Sequence, residues 1–177
     1  AGGERVTLQS HTGRIMDQVD YNARHPWPGG ADGSGASLSK RDPMASSGSA
    51  RNWSSSRSLG GSPGESNDTL INPTAVFSEV PGRDAEFLWI ELFHAGSIDL
   101  DLDSLVIRTD QAAELPLEGS LAPGGYANLS TTFDALVVQQ LYLIDQDAQT
   151  LLDAIDLKNS PQARTDYPSG EFYHPTE

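Results

Sequence analysis

Glu91 lies in the run Phe87-Leu88-Trp89-Ile90-Glu91-Leu92-Phe93, framed by large apolar side chains. A carboxyl group framed by apolar side chains is a candidate for general acid work. A glycoside hydrolase would place a second carboxylate about 5–10 Å away across a cleft. Glu79 is the candidate for that second acid if the strands carrying the two residues pair. The alternation around Glu91 favours a different role, that of a strand residue accepting hydrogen bonds from backbone amides or an arginine.

Asp99, Asp101 and Asp103 form D-x-D-x-D, the opening of a calcium loop. Such a loop needs glycine at its sixth position and glutamate at its twelfth, where this chain has Ser104 and Asp110. Alternating Asp with Leu100 and Leu102 instead reads as a strand with one wet face. His11, His25, His94 and His174 have no zinc-ligand spacing, and the chain has no cysteine, which excludes thiolate metal sites and thiol catalysis. No G-x-S-x-G elbow accompanies the many serines of 34–66. The loop Gly29-Gly30-Ala31-Asp32-Gly33-Ser34-Gly35 lacks the lysine and following helix of a phosphate cradle. Trp27 and Trp53, set in polar loops, could stack on sugars or plug those loops onto a scaffold, and the second is the preferred reading.

The elements that must position these residues are strands. Val6 and Leu8 alternate with polar neighbours, and Ile15, Asp17, Val19 and Tyr21 share a face beyond the Ser10–Gly13 turn, so a hairpin is predicted over 3–21. Residues 22–67 are dense in Gly, Ser and Pro, with Trp27, Leu38, Met44, Trp53 and Leu59 as apolar anchors, and read as a loop pinned at intervals. Strand signals return at 75–80, 87–93 and 98–107, around the Ala122-Pro123-Gly124-Gly125 turn, and on both sides of Gln146-Asp147-Ala148-Gln149. No stretch has the period and capping of a confident helix. Many short strands separated by Gly/Pro turns describe an all-β sandwich.

Charge divides unevenly. Residues 1–67 carry seven basic against six acidic side chains, a charge of +1, so 68–177 carries −15 of the formal net −14, with Arg83, Arg108, Lys158 and Arg164 as its only bases. Such an acidic half repels phosphate backbones, which argues against nucleic acid as a partner. No apolar run approaches the roughly 20 residues needed for a membrane-spanning helix.

An internal repeat is also legible. Arg5–Tyr21 lies over Gln140–Leu157 with one gap in the turn, pairing Val6 and Leu8 with Leu141 and Leu143, and Asp17 and Val19 with Asp153 and Ile155. Both segments lead into proline-containing loops, His25-Pro26-Trp27-Pro28 and Ser160-Pro161. The expectation is a tandem array, in which residues 1–67 are the C-terminal half of a module whose first strands precede Ala1. On their own, residues 1–67 should be poorly ordered unless they borrow strands.

Several of these segments resemble the bacterial form of the lamin-tail domain. Ser78-Glu79-Val80 is similar to its N-E-[IV] strand, and Trp89-Ile90-Glu91-Leu92-Phe93-His94-Ala95-Gly96 to its W-[IV]-E-[LI]-x-N-x-G strand, with His94 in place of the usual asparagine. Asp101 to Leu105 resembles the D-L-S-G-W strand without its Gly and Trp. Leu121 to Tyr126 resembles the L-x-P-G turn, and Leu141 to Asp153 the closing hairpin. The first 67 residues look like the closing half of another copy. The resemblance implies an immunoglobulin-like β-sandwich, one complete copy at 68–177 preceded by a partial copy at 1–67. It implies a noncatalytic adhesion or spacer module of a larger secreted or cell-surface bacterial protein, with no catalytic residue, metal or cofactor. Its partners would be other domains of the same protein or surface proteins. The alternative is a carbohydrate- or calcium-binding accessory module of a secreted hydrolase, with polysaccharide as partner.

Overall fold

The computed structural model describes residues 3–81 and 88–157. Phe87, His174 and the Ser160-Pro161 loop lie outside the described residues. The chain is all-β, and the described residues include no α-helix. In chain order the strands are β1 (Glu4–Gln9), β2 (Ile15–Tyr21), β3 (Ala36–Lys40), β4 (Trp53–Leu59), β5 (Ala75–Glu79), β6 (Trp89–His94) and β7 (Leu100–Asp101). There follow β8 (Leu105–Thr109), β9 (Glu114–Pro116), β10 (Ser120–Leu121), β11 (Tyr126–Ser130), β12 (Gln140–Asp145) and β13 (Thr150–Asp156).

All strand pairings among the described residues are antiparallel. The largest sheet has the order β3-β4-β13-β12-β8-β9, and a second sheet has the order β11-β6-β5. These two stack as in a β-sandwich, around a core that includes Phe77, Ile90, Leu92, Leu105, Ile107, Leu141, Leu143 and Ile155, all at most 5% exposed. Period-two alternation explains the arrangement: on β6, Ile90, Leu92 and His94 point inward while Trp89, Glu91 and Phe93 are half-exposed. The strands β12 and β13 are buried on both faces. Their second face joins Val106, Leu70 and Ala36 in a further apolar cluster that includes Tyr142, Ile144, Leu151 and Ala154.

Three local expectations change. The Gly/Ser/Pro-rich segment 22–67, read as loop, contains β3 and β4, which extend the large sheet beyond β13. Ser54, Ser55 and Ser56 are fully buried there. Their small side chains permit close packing, and hydroxyl bonds compensate their burial: Ser54 Oγ donates to the Leu70 carbonyl (3.0 Å) and Ser56 Oγ to the Ser58 carbonyl (2.8 Å). Met44, expected as an anchor, is 92% exposed. The run 98–107 is not one alternating strand. Ile98 is exposed, β7 spans two residues, and the Asp103 amide donates to Asp101 Oδ1 (3.0 Å), a turn that breaks the strand before β8.

Of the two glycines of the Ala122–Gly125 turn, both candidates for positive φ, only Gly124 adopts it. Gly124 adopts φ +71°, and its amide donates to the His94 carbonyl. Gly125 has another reason to be glycine, since a Cβ there would lie 2.8 Å from the Ala122 carbonyl oxygen. The β1–β2 hairpin forms as predicted, but it is a separate two-stranded sheet whose residues are largely exposed.

Candidate functional site

Glu91 sits in the middle of β6, opposite Asn128 of β11 and Glu79 of β5. A β-bulge between Phe77 and Glu79 sets both Ser78 and Glu79 against Glu91. The bulge turns the Ser78 hydroxyl onto the acid, and Ser78 Oγ donates to Glu91 Oε1 at 2.8 Å. The expected backbone amide or arginine is therefore replaced by a serine hydroxyl, because the extra residue of the bulge brings a side chain within reach. Glu79 is exposed and Glu91 half-exposed, so the two acids face each other on the outer surface of a sheet. Along the same face the Phe93 and Tyr126 rings pack 4.9 Å apart, with Trp89 and Asn128 flanking Glu91.

Of the three acids Asp99, Asp101 and Asp103, the last two serve turns. Asp101 Oδ1 accepts the Asp103 amide, and Asp103 Oδ1 accepts the Gly119 amide at 2.6 Å, tying the β7–β8 connection to the approach of β10. Leu102 between them is buried in the core. Among the described residues no three acidic or imidazole side chains gather as the ligands of a metal would.

His11 and His25 are exposed and far apart in the chain, and His25 precedes a cis Pro26. His94 is buried, 1% exposed, and locks a loop crossing. Its Nε2 lies 2.6 Å from the Ile98 carbonyl oxygen, and its Nδ1 lies between the Thr74 carbonyl oxygen (2.8 Å) and the Gly96 amide (3.2 Å). A Cβ on Gly96 would meet His94 Cε1 at 2.6 Å, so glycine at 96 makes room for the ring.

Trp27 is buried against Tyr21 and Trp53, with ring centroids 6.2 and 6.3 Å away. Trp53 is half-buried and donates its Nε1–H to the Ser47 carbonyl at 3.0 Å. Both therefore pin loops. The glycine-rich loop 29–35 is pressed onto the large sheet: a Cβ at Gly30 would lie 2.5 Å from Ser55 Oγ and 2.7 Å from Leu151 Cδ2. Gly33, at φ +103°, passes equally close to the Tyr142 hydroxyl. That hydroxyl reaches the Asp32 carbonyl oxygen and, at 2.5 Å, Gln140 Oε1, while Gln140 Nε2 donates to Asp32 Oδ2. Burial, with the nearby charges of Asp32, Asp110 and Asp156, pushes the Tyr142 phenol well up.

The most consequential acid was not singled out from sequence. Asp153 is fully buried; its Oδ2 accepts the Phe77 amide and its Oδ1 the Ala154 amide, both at 2.8 Å. It thus joins β13 of one sheet to β5 of the other across the core. Its signal was present, an acid flanked by Leu151, Leu152, Ala154 and Ile155, which is the pattern that had drawn attention to Glu91. Asp110 acts similarly at the sheet end, its Oδ1 accepting the amides of Gln139 (2.9 Å) and Gln140 (3.2 Å).

Among the described residues no helix is long and apolar enough to cross a membrane. No protein-family model, no curated protein and no solved structure matches the chain.

Proposed function

We propose that the chain is a noncatalytic structural or interaction module, a spacer or adhesive unit of a larger secreted or cell-surface bacterial protein. In this reading its sandwich is of the immunoglobulin-like, lamin-tail kind. The observation that carries it is how the acids are used. Glu91 takes a serine hydroxyl across a bulge, Asp153 joins the sheets, Asp101 and Asp103 hold the β7–β8 connection, and Asp110 ties the end of β8 to the start of β12. A frame whose carboxylates hold its own backbone presents loops at fixed positions, which suits binding and spacing. The test is a hydrolysis assay on a polysaccharide panel with the chain and its Glu91→Gln variant. Neither should turn over any substrate. Hydrolysis by the parent that is lost in Glu91→Gln at unchanged melting temperature would overturn the reading.

One observation favours the carbohydrate-binding alternative. The outer face of β5, β6 and β11 combines the Phe93–Tyr126 ring pair with Glu91, Asn128 and Ser78, and Tyr126 is 61% exposed. Aromatic faces beside hydrogen-bonding groups are what a sugar surface needs. Saturable calorimetric binding to one polysaccharide, weakened at least tenfold by Tyr126→Ala, would select this reading.

A further inference from the structure

A cleft of about 450 Å³ opens between the β1–β2 hairpin and the layer formed by the 29–35 loop with β3 and β4. Its hairpin wall follows from strand pairing. Glu4 is opposite Tyr21 and Val6 opposite Val19, and alternation puts all four on one face. The facing wall includes Asp32 of the loop, Leu38 of β3 and Trp53 of β4. Most of the lining side chains are apolar, and the volume falls in the range of about 300–1,000 Å³ that small-molecule sites occupy.

The charged side chains of the cleft are of one sign. Glu4 and Asp32 are acids, and among the described residues no lysine, arginine or histidine lines the space. The nearby bases are engaged elsewhere. Arg5 projects from the opposite face of β1 and pairs with Asp20 at 2.5 Å, while Lys40 donates to the Pro43 carbonyl and stands 4.0 Å from Asp17. One oxygen of Asp32 accepts the Gln140 side-chain amide at 3.1 Å, which holds that carboxylate in place. The Glu4 carboxylate makes no hydrogen bond or ion pair with a described residue. Trp53 Nε1–H is taken by the Ser47 carbonyl, so the indole offers the cleft carbon and π surface, and the Tyr21 ring adds a second aromatic group.

We propose that this cleft binds a small organic cation, an ammonium group carried on an apolar body. The Glu4 and Asp32 carboxylates attract the ammonium by charge, and the Tyr21 and Trp53 rings attract it through their quadrupoles. Val6, Val19 and Leu38 take up the hydrocarbon part, which gains by leaving water. An organic anion is repelled by both acids and by the net charge of −14. A bare metal ion lacks a ligand set, since among the described residues no three acidic or imidazole side chains gather. The site draws on residues 4–53 and leaves out the outer face of β5, β6 and β11, so it is separate from the sugar surface described above.

The test titrates the chain with three probes that share one apolar body, 2-phenylethylammonium, 2-phenylethanol and 3-phenylpropanoate, while NMR follows the backbone amides and tryptophan indoles. The cation should give saturable shifts at Val6, Val19 and the Trp53 indole, with a Kd about tenfold or more below those of the alcohol and the anion. Glu4→Gln, at an exposed strand position, should weaken the cation about threefold or more and leave the alcohol unchanged. Equal affinity for cation and alcohol would overturn the proposal by showing an apolar cleft blind to charge. Cation shifts that spread over the acidic strands without saturating, or none at Val6 and Val19 up to about 20 mM probe, would overturn it as well. So would a cation affinity unaltered by Glu4→Gln.

Discussion

Asp153 is the residue on which the two-layer frame most depends. Asp153→Ala leaves the buried Phe77 amide without that acceptor, which costs about 1–3 kcal/mol. Asp153→Asn keeps an acceptor oxygen and should cost less, and urea denaturation of the two variants checks the order. Asp17, its exposed counterpart, is held below the usual carboxylate range by the Ser47 hydroxyl, the Gln18 amide and the Lys40 charge. Because its folded-state value is depressed, the anchoring it provides is fully present above the ordinary aspartate range. It is lost as pH falls through the lower folded-state value. Hydrogen-exchange protection in β2, taken relative to the intrinsic rate at each pH, should therefore fall on acidification below about pH 4, and Asp17→Asn should flatten that dependence. Unchanged protection down to pH 2 would show that the carboxylate does not hold the hairpin.

At the scale of elements, the strands announced by alternation are where they were expected, β5, β6 and the β12–β13 hairpin above all. Apolar period and turn glycines are local signals, and these strands carry both. β3 and β4 were not legible, because Trp53-Ser54-Ser55-Ser56-Arg57-Ser58-Leu59 has no apolar alternation. Its burial is decided by close approach to the Gly30 loop and Leu70, which only tertiary structure shows. The role of Glu91 was half legible for the same reason: its strand could be read, whereas the bulge that delivers Ser78 could not. Close approach also makes a prediction. Gly30→Ala places a methyl within 2.7 Å of Ser55 and Leu151, and such overpacking costs about 1–3 kcal/mol. Thermal melting should register it, and an unaltered melting temperature would mean that the 29–35 loop does not press on the sheet.

For the whole molecule, one large sheet separates two apolar clusters, the sandwich core on one side and the Tyr142–Leu70 cluster on the other. Segments from both chain halves meet on it, since Asp32 contacts Gln140 and Tyr142 while the Leu59 amide donates to the Gln149 carbonyl. The central claim is that this frame serves spacing or protein contact and that its acids hold backbone instead of metal or sugar. A ligand at a hundredfold excess over its Kd would stabilise the chain by about 2.7 kcal/mol, roughly 5–10 °C for a chain of this length. The decisive measurement is the melting temperature of the chain with calcium, with chelator and with a panel of soluble polysaccharides. The account predicts one melting temperature throughout; a saturable rise of several degrees with calcium or with one polysaccharide would contradict it.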